Sequence, residues 1–239
     1  MLRERFFHRF TSNSSRAVFV ELLIVLLGVY GAFQLERWGE ERRESSNERI
    51  LLEQLQNEIE LAEPLMEEQY QDHRDRLSDV QQVASTLLQP VGSGELNVDQ
   101  CSAILRVSIV PWNPLTLTAL DEMVSNDVHS RLADRELRTL LFSLQAEVRQ
   151  MNAEMQLVRS YQRHLPDEYP ELLPRGFASD GRRFMKCNTD GMRASKSFMN
   201  HLVSNYARMQ GVTGSLEDEL EALKSVRHRL DQVLGSKDN

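Results

Sequence analysis

The side chains with chemistry to offer are two cysteines, six histidines and one carboxyl in an unusual setting. His8, His73, His129, His164, His201 and His228 would serve as metal ligands or proton carriers if their spacing brought them together. No His-x-x-x-His or Cys-x-x-Cys spacing is present, no glycine-rich phosphate loop, and no Gly-x-Ser-x-Gly elbow. His201 and Cys187 are near in sequence and read as structural. We therefore expect no catalytic residue, no metal site and no cofactor, and an enzyme is the least favoured reading.

The unusual carboxyl is Glu21. It is the sole ionisable residue of the segment Ala17 to Leu35, whose members from Leu22 to Phe33 are otherwise apolar or small apart from the phenol of Tyr30. About 19 residues at about 1.5 Å of rise nearly span a hydrocarbon core of about 30 Å. A soluble core helix would carry polar residues on every turn. A cleavable leader is the other alternative, with Val29-Tyr30-Gly31 as the cut site, but the helical pattern runs on past that point. The reading adopted is an uncleaved signal anchor at 17–35, with residues 1–16 as a cytoplasmic head. Arg3, Arg5, Arg9 and Arg16 stand against Glu4 alone before it, whereas acids outnumber bases just after it. The positive-inside bias then predicts a cytoplasmic amino terminus in a bacterial inner membrane and a periplasmic main domain at 36–239. Trp38 falls where an interfacial aromatic anchor belongs.

Glu21, Gly28 and Ala32, with Gly31 beside them, share one face of that helix. Small residues four apart let helix backbones approach closely, and a carboxyl in lipid seeks a partner. Two readings are open: Glu21 snorkels or pairs with Arg16 or Arg5, or the face packs on another transmembrane helix.

Glu21, Gly28, Ala32, Gln34, Trp38 and Glu40, at these spacings, resemble the anchor of a family of uncharacterised bacterial single-pass membrane proteins, a domain of unknown function. Pro114-Leu-Thr-Leu-Thr-Ala-Leu120 and Leu132-Ala-Asp-Arg-Glu-Leu-Arg138 are similar to that family's second, weaker motif. Val20 stands where the family usually has Gly, and Glu36-Arg37 where it has an Asn pair. The resemblance implies an all-helical extracytoplasmic domain and carries no activity with it.

Behind the anchor, 27% charged residues and a net charge of −8 describe a soluble acidic body and argue against nucleic acid as a partner. Apolar residues at steps of three and four run from Leu52 to Leu87, from Leu132 to Leu165 and from Phe198 to Val233, a coiled-coil-like seam in each case. Pro64 should kink the first. Short helices are expected at 97–110 and 115–124, and Ser125-Asn-Asp127 as the cap of the second long helix. Trp112 is read as a core plug or an exposed recognition residue. Phe177 to Phe184 suggests a hairpin about Asp180-Gly181.

These elements predict an all-α fold: an elongated antiparallel bundle of three long helices with short capping helices. In it the first helix leaves the membrane, the second returns and the third runs out again. The basic loop carrying Arg175, Arg182, Arg183, Lys186, Arg193 and Lys196 then lies beside the bilayer. Cys101 and Cys187 fall at opposite ends, too far apart for an intramolecular disulfide.

The function expected is a membrane-anchored helical interaction or scaffold protein, either self-associating or an accessory subunit of a membrane complex. Its partners would be membrane lipid and its own copy or another membrane protein. The alternative is a periplasmic sensor or ligand-binding bundle that signals through a partner, because 16 residues are too few for an output domain.

Overall fold

In a computed structural model, the chain from Thr11 to Leu87 is a single helix, α1 (Thr11–Leu87), that continues through Pro64. The structure describes residues 11–90, 92–177 and 183–235, without the side chains of 11–21, 40, 41, 44, 45, 177 and 183–185. The chain divides into two compact units, Met1–Ile50 and Leu51–Asn239.

In the first unit the described residues are all helical. Residues 22–39 form a stretch long and apolar enough to cross a membrane, and none of it is buried.

In the second unit, α1 ends where Pro90 disfavours a helical conformation for the residue before it. Helix α2 (Val98–Val107) begins with a capping box: the Asn97 side chain accepts the Gln100 N–H, and the Gln100 side chain accepts the Asn97 N–H. The chain then leaves α2 as an extended strap along α1. His73 Nε2 bonds the Pro111 carbonyl at 2.8 Å, Gln69 Oε1 accepts the Asn113 N–H, and Glu58 accepts the Ala119 N–H. The eight steps from Pro111 to Ala119, at the start of the next helix, thus cover fifteen of α1. About 22 Å of α-helix is within the roughly 26 Å reach of eight extended residues, so the strap must be nearly straight.

Helices α3 (Thr118–Ser125) and α4 (Val128–Arg131) follow, and then α5 (Arg135–Tyr161). Asp134, rather than Ser125-Asn-Asp127, caps α5: its carboxylate accepts the Leu137 N–H at 2.7 Å. After α6 (Leu165–Glu168) come the paired strands β1 (Arg175–Phe177) and β2 (Arg183–Met185), in register Phe177 to Arg183. The hairpin expected there is present; its Asp180-Gly181 turn lies outside the described residues. Helix α7 (Thr189–Ala194) needs Gly191, because a Cβ there would fall 2.7 Å from both Asn188 Nδ2 and Leu172 Cδ2. The last helix, α8 (Lys196–Gly235), passes through Gly211 and Gly214 without a break.

Direction follows from the cross-helix pairs. Glu63 meets Arg227 and Glu67 meets Lys224, so α8 runs antiparallel to α1. Asp134 meets Arg229 and Arg163 N–H donates to Asn205, so α8 is antiparallel to α5 as well. Helices α1 and α5 therefore run the same way. The expected return by the second long helix is corrected: the strap and the short helices after it make that return. One core cluster joins Leu55 and Ile59 of α1, Leu141, Leu144 and Met151 of α5, and Leu216, Leu223 and Val226 of α8. A second joins Val80, Val83 and Leu87 to Ile104, Leu165, Met192 and Phe198.

The same geometry overturns the expected separation of the cysteines. Because α5 runs parallel to α1, the irregular region after it arrives at the Leu87 end of α1, beside α2. There Cys101 and Cys187 form a buried disulfide with Cα atoms 5.8 Å apart. The basic loop follows the same path to the Leu87 end of α1. Helices α2 and α3 do not jointly cap one end either; α2 packs beside Leu87 and α3 beside Glu58.

Candidate partner-docking surfaces

The first unit offers one surface. From Leu22 to Trp38 every large apolar side chain is exposed, Leu35 at 69% and Ile24 at 64%. A Cβ added at Gly28 or Gly31 would meet nothing within 4 Å, so this face is open to a neighbouring backbone. Ala32 is exposed beside them, and the side chain of Glu21 lies outside the described residues. Trp38 is exposed with the Arg42 guanidinium 4.3 Å from its ring centre, an aromatic–cation pair of the kind that suits a headgroup layer.

The basic loop is not a single cationic face. Arg175 pairs with Asp167, and the Arg193 side chain is almost fully buried, bonding Asp190 and the Thr86 carbonyl. Asp190 also accepts the Gly92 N–H, and these two interactions hold its carboxyl below the usual range. Lys186 and Lys196 are exposed. Arg182 and the side chain of Arg183 lie outside the described residues. Arg175 and Arg193, two of the four cations whose side chains are described, fasten the loop's own surroundings.

The second unit carries a concave surface that the sequence reading missed. A cleft of about 470 Å³ lies between α1 and the strap. Leu65, Met66, Pro111, Trp112, Pro114 and Leu115 give it an apolar lining, with Glu68 and Asp72 at the rim. Trp112 is partly buried against the first core cluster, and the Arg159 guanidinium lies 5.4 Å from its ring centre. Among the described residues the indole N–H and His73 Nδ1 are buried without partners. His73 is fully buried, and desolvation holds its pKa below the ordinary value, so the ring is neutral and donates through Nε2 to Pro111. A second cleft of about 340 Å³ adjoins the first across Pro114, Leu115 and Thr116.

A polar group around α6 has catalytic residue types but not catalytic wiring. The Tyr169 hydroxyl meets Ser197 Oγ at 2.7 Å and His201 Nδ1 at 2.9 Å, and that same Nδ1 lies 2.9 Å from Glu168. A relay needs the hydroxyl and the carboxylate on opposite ring nitrogens. Both are on one here, so the group works as a clasp between α6 and α8. Among the described residues no cluster of His, Cys, Asp and Glu is placed to hold a metal ion.

Among the described residues one carboxyl is buried in the core. Glu219 continues the apolar seam of Val212, Leu216, Leu223 and Val226, and is 2% exposed. Burial, reinforced by Glu147, pushes its pKa up to about 7. It was legible as the one acid on a heptad seam.

Compared with protein-family models, curated proteins and solved structures, the chain matches none of them.

Proposed function

We propose that this protein is a membrane-anchored helical interaction protein, with its anchor in lipid and its second unit exported. The observation that carries the reading is the run of exposed apolar side chains from Leu22 to Leu35. A continuous apolar surface of this kind is not left to water by a soluble monomer, and an uninterrupted helix satisfies its own backbone in hydrocarbon.

Two further observations support the finer reading. The disulfide between Cys101 and Cys187 favours an oxidising compartment for the second unit, in agreement with the arginine-rich head on the cytoplasmic side. The open Gly28/Gly31/Ala32 face favours close packing against a second transmembrane helix. That helix belongs to another copy of this chain, as in a scaffold, or to a membrane complex that the chain serves as accessory subunit. The anchor residues Glu21, Gly28, Ala32, Gln34, Trp38 and Glu40 also resemble the single-pass family described above.

The test is alkaline phosphatase fused after Asn239 in bacterial cells, together with crosslinking of the full chain in native membranes. The reading expects active phosphatase and a crosslinked species that weakens when Glu21→Leu is introduced. An inactive fusion contradicts export, and crosslinking indifferent to Glu21 contradicts the packing face.

A further inference from the structure

The middle of α8 is built from residues that favour other conformations. Gly211-Val-Thr-Gly-Ser215 sets five residues of low helix propensity in a row within a helix of 40. Gly211 has a packing reason, because a Cβ there would fall 2.9 Å from Glu154 Oε1 of α5. Gly214 has none: it is exposed, and nothing lies within 4 Å of where its Cβ would be. The Thr213 hydroxyl bonds back to the Met209 carbonyl at 2.8 Å, a contact that loosens a helix slightly. These turns are held by their seam, where Val212, Leu216 and Leu220 are buried in the core shared with α1 and α5.

The same seam carries Glu219, buried and, among the described residues, without a hydrogen bond or an ion pair. No cation stands opposite to offset it. On α5 the group that acts on it is a second carboxyl, Glu147, while Glu154 accepts the Ser215 hydroxyl. On α1 at this level, the Tyr70 hydroxyl is bonded to Glu217, and the Arg74 guanidinium lies 5.7 Å from the Tyr70 ring. His73 is neutral and held by the Pro111 carbonyl, and Lys224 is taken by Glu67. The core therefore accommodates the Glu219 carboxyl only while it keeps its proton. Once ionised, it reaches water only if this part of α8 leaves α5.

We propose that residues 211–219 of α8 are a proton-gated weak point, packed on α5 while the Glu219 carboxyl is neutral and opening locally once it ionises. Burial and Glu147 raise the pKa of the closed form to about 7, whereas an opened carboxyl returns toward the ordinary 4.5. Opening thus becomes easier as pH rises from 4.5 to about 7, and gains nothing further above that. The inference concerns the second unit alone and does not depend on the anchor.

Hydrogen exchange read by mass spectrometry on the full chain in nanodiscs tests it, each rate being taken relative to an unstructured peptide at the same pH. Protection over 211–223 is expected to be about tenfold lower at pH 8 than at pH 5. Low concentrations of urea should leave that exchange unchanged, because a local opening exposes little surface. Glu219→Gln, which keeps the shape and cannot ionise, should remove the pH difference. Gly214→Ala, which fills open space and favours the helix, should raise protection about fivefold at both pH values. Equal protection at the two pH values, a difference that persists in Glu219→Gln, or indifference to Gly214→Ala each overturns the proposal. So does exchange over 211–223 that rises with urea as steeply as exchange in the core residues 80–87, since that is global unfolding.

Discussion

Cys101 on α2 and Cys187 in the segment between β2 and α7 are joined across 86 residues of chain. That bond closes a long loop around the second core cluster and fastens the irregular region between α6 and α7 to the Leu87 end of α1. In the chain-entropy account, a loop of this length stabilises the fold by about 4 to 5 kcal/mol.

Replacing both cysteines by alanine is therefore expected to lower the unfolding free energy by about 3 to 5 kcal/mol. Denaturation of the detergent-solubilised chain measures it. In the parent, alkylation without reductant should leave both thiols unmodified, and alkylation after reduction should modify both.

Glu219 makes stability depend on pH in the direction opposite to most carboxylates. Below pH 4.5 it is protonated whether the chain is folded or not. Between 4.5 and about 7 only the unfolded chain releases the proton, so stability falls as pH rises and then levels off. The loss approaches about 3 kcal/mol at most. Glu219→Gln should raise the melting temperature at pH 8 and leave it nearly unchanged at pH 4; thermal unfolding at the two pH values checks this.

Asp134 holds both the α5 amino terminus and Arg229 of α8, whose guanidinium nitrogens lie 2.6 and 3.2 Å from its carboxylate oxygens. The Arg229 hydrogen bonds, followed by the Leu137 N–H, keep its pKa below the ordinary value. Its contribution is present above pH 3.8 and is lost as pH falls through the lowered folded value. Asp134→Ala should cost about 1 to 2 kcal/mol at neutral pH, read by urea denaturation.

Trp38 should sit at the level of lipid headgroups. With Trp112→Phe as background, Trp38 is the only indole left. Its emission is expected to be quenched more by lipids brominated near the carbonyl than by lipids brominated at the chain ends.

The long helices were legible because Leu52 to Leu87, Leu137 to Val158 and Phe198 to Leu234 repeat apolar residues at helical steps, and burial follows those steps. Their directions were not legible. Three long apolar seams in succession suggested that each helix turns back on the last, whereas Pro111 and Pro114 favour an extended chain that makes the return instead. With α5 parallel to α1, the cysteines meet, the basic loop moves to the Leu87 end, and a cleft opens beside Trp112. Such a cleft depends on which side of α1 the strap follows, a choice made by His73, Gln69 and Glu58 together and by no local pattern. Glu219 could have been found from its place on the seam. The Glu21 face was read from spacing alone.

Alkaline carbonate washing of membranes containing the full-length chain tests the central claim most directly. The account predicts that the protein stays in the membrane pellet and is released only by detergent. A chain recovered in the wash as a water-soluble monomer would contradict it.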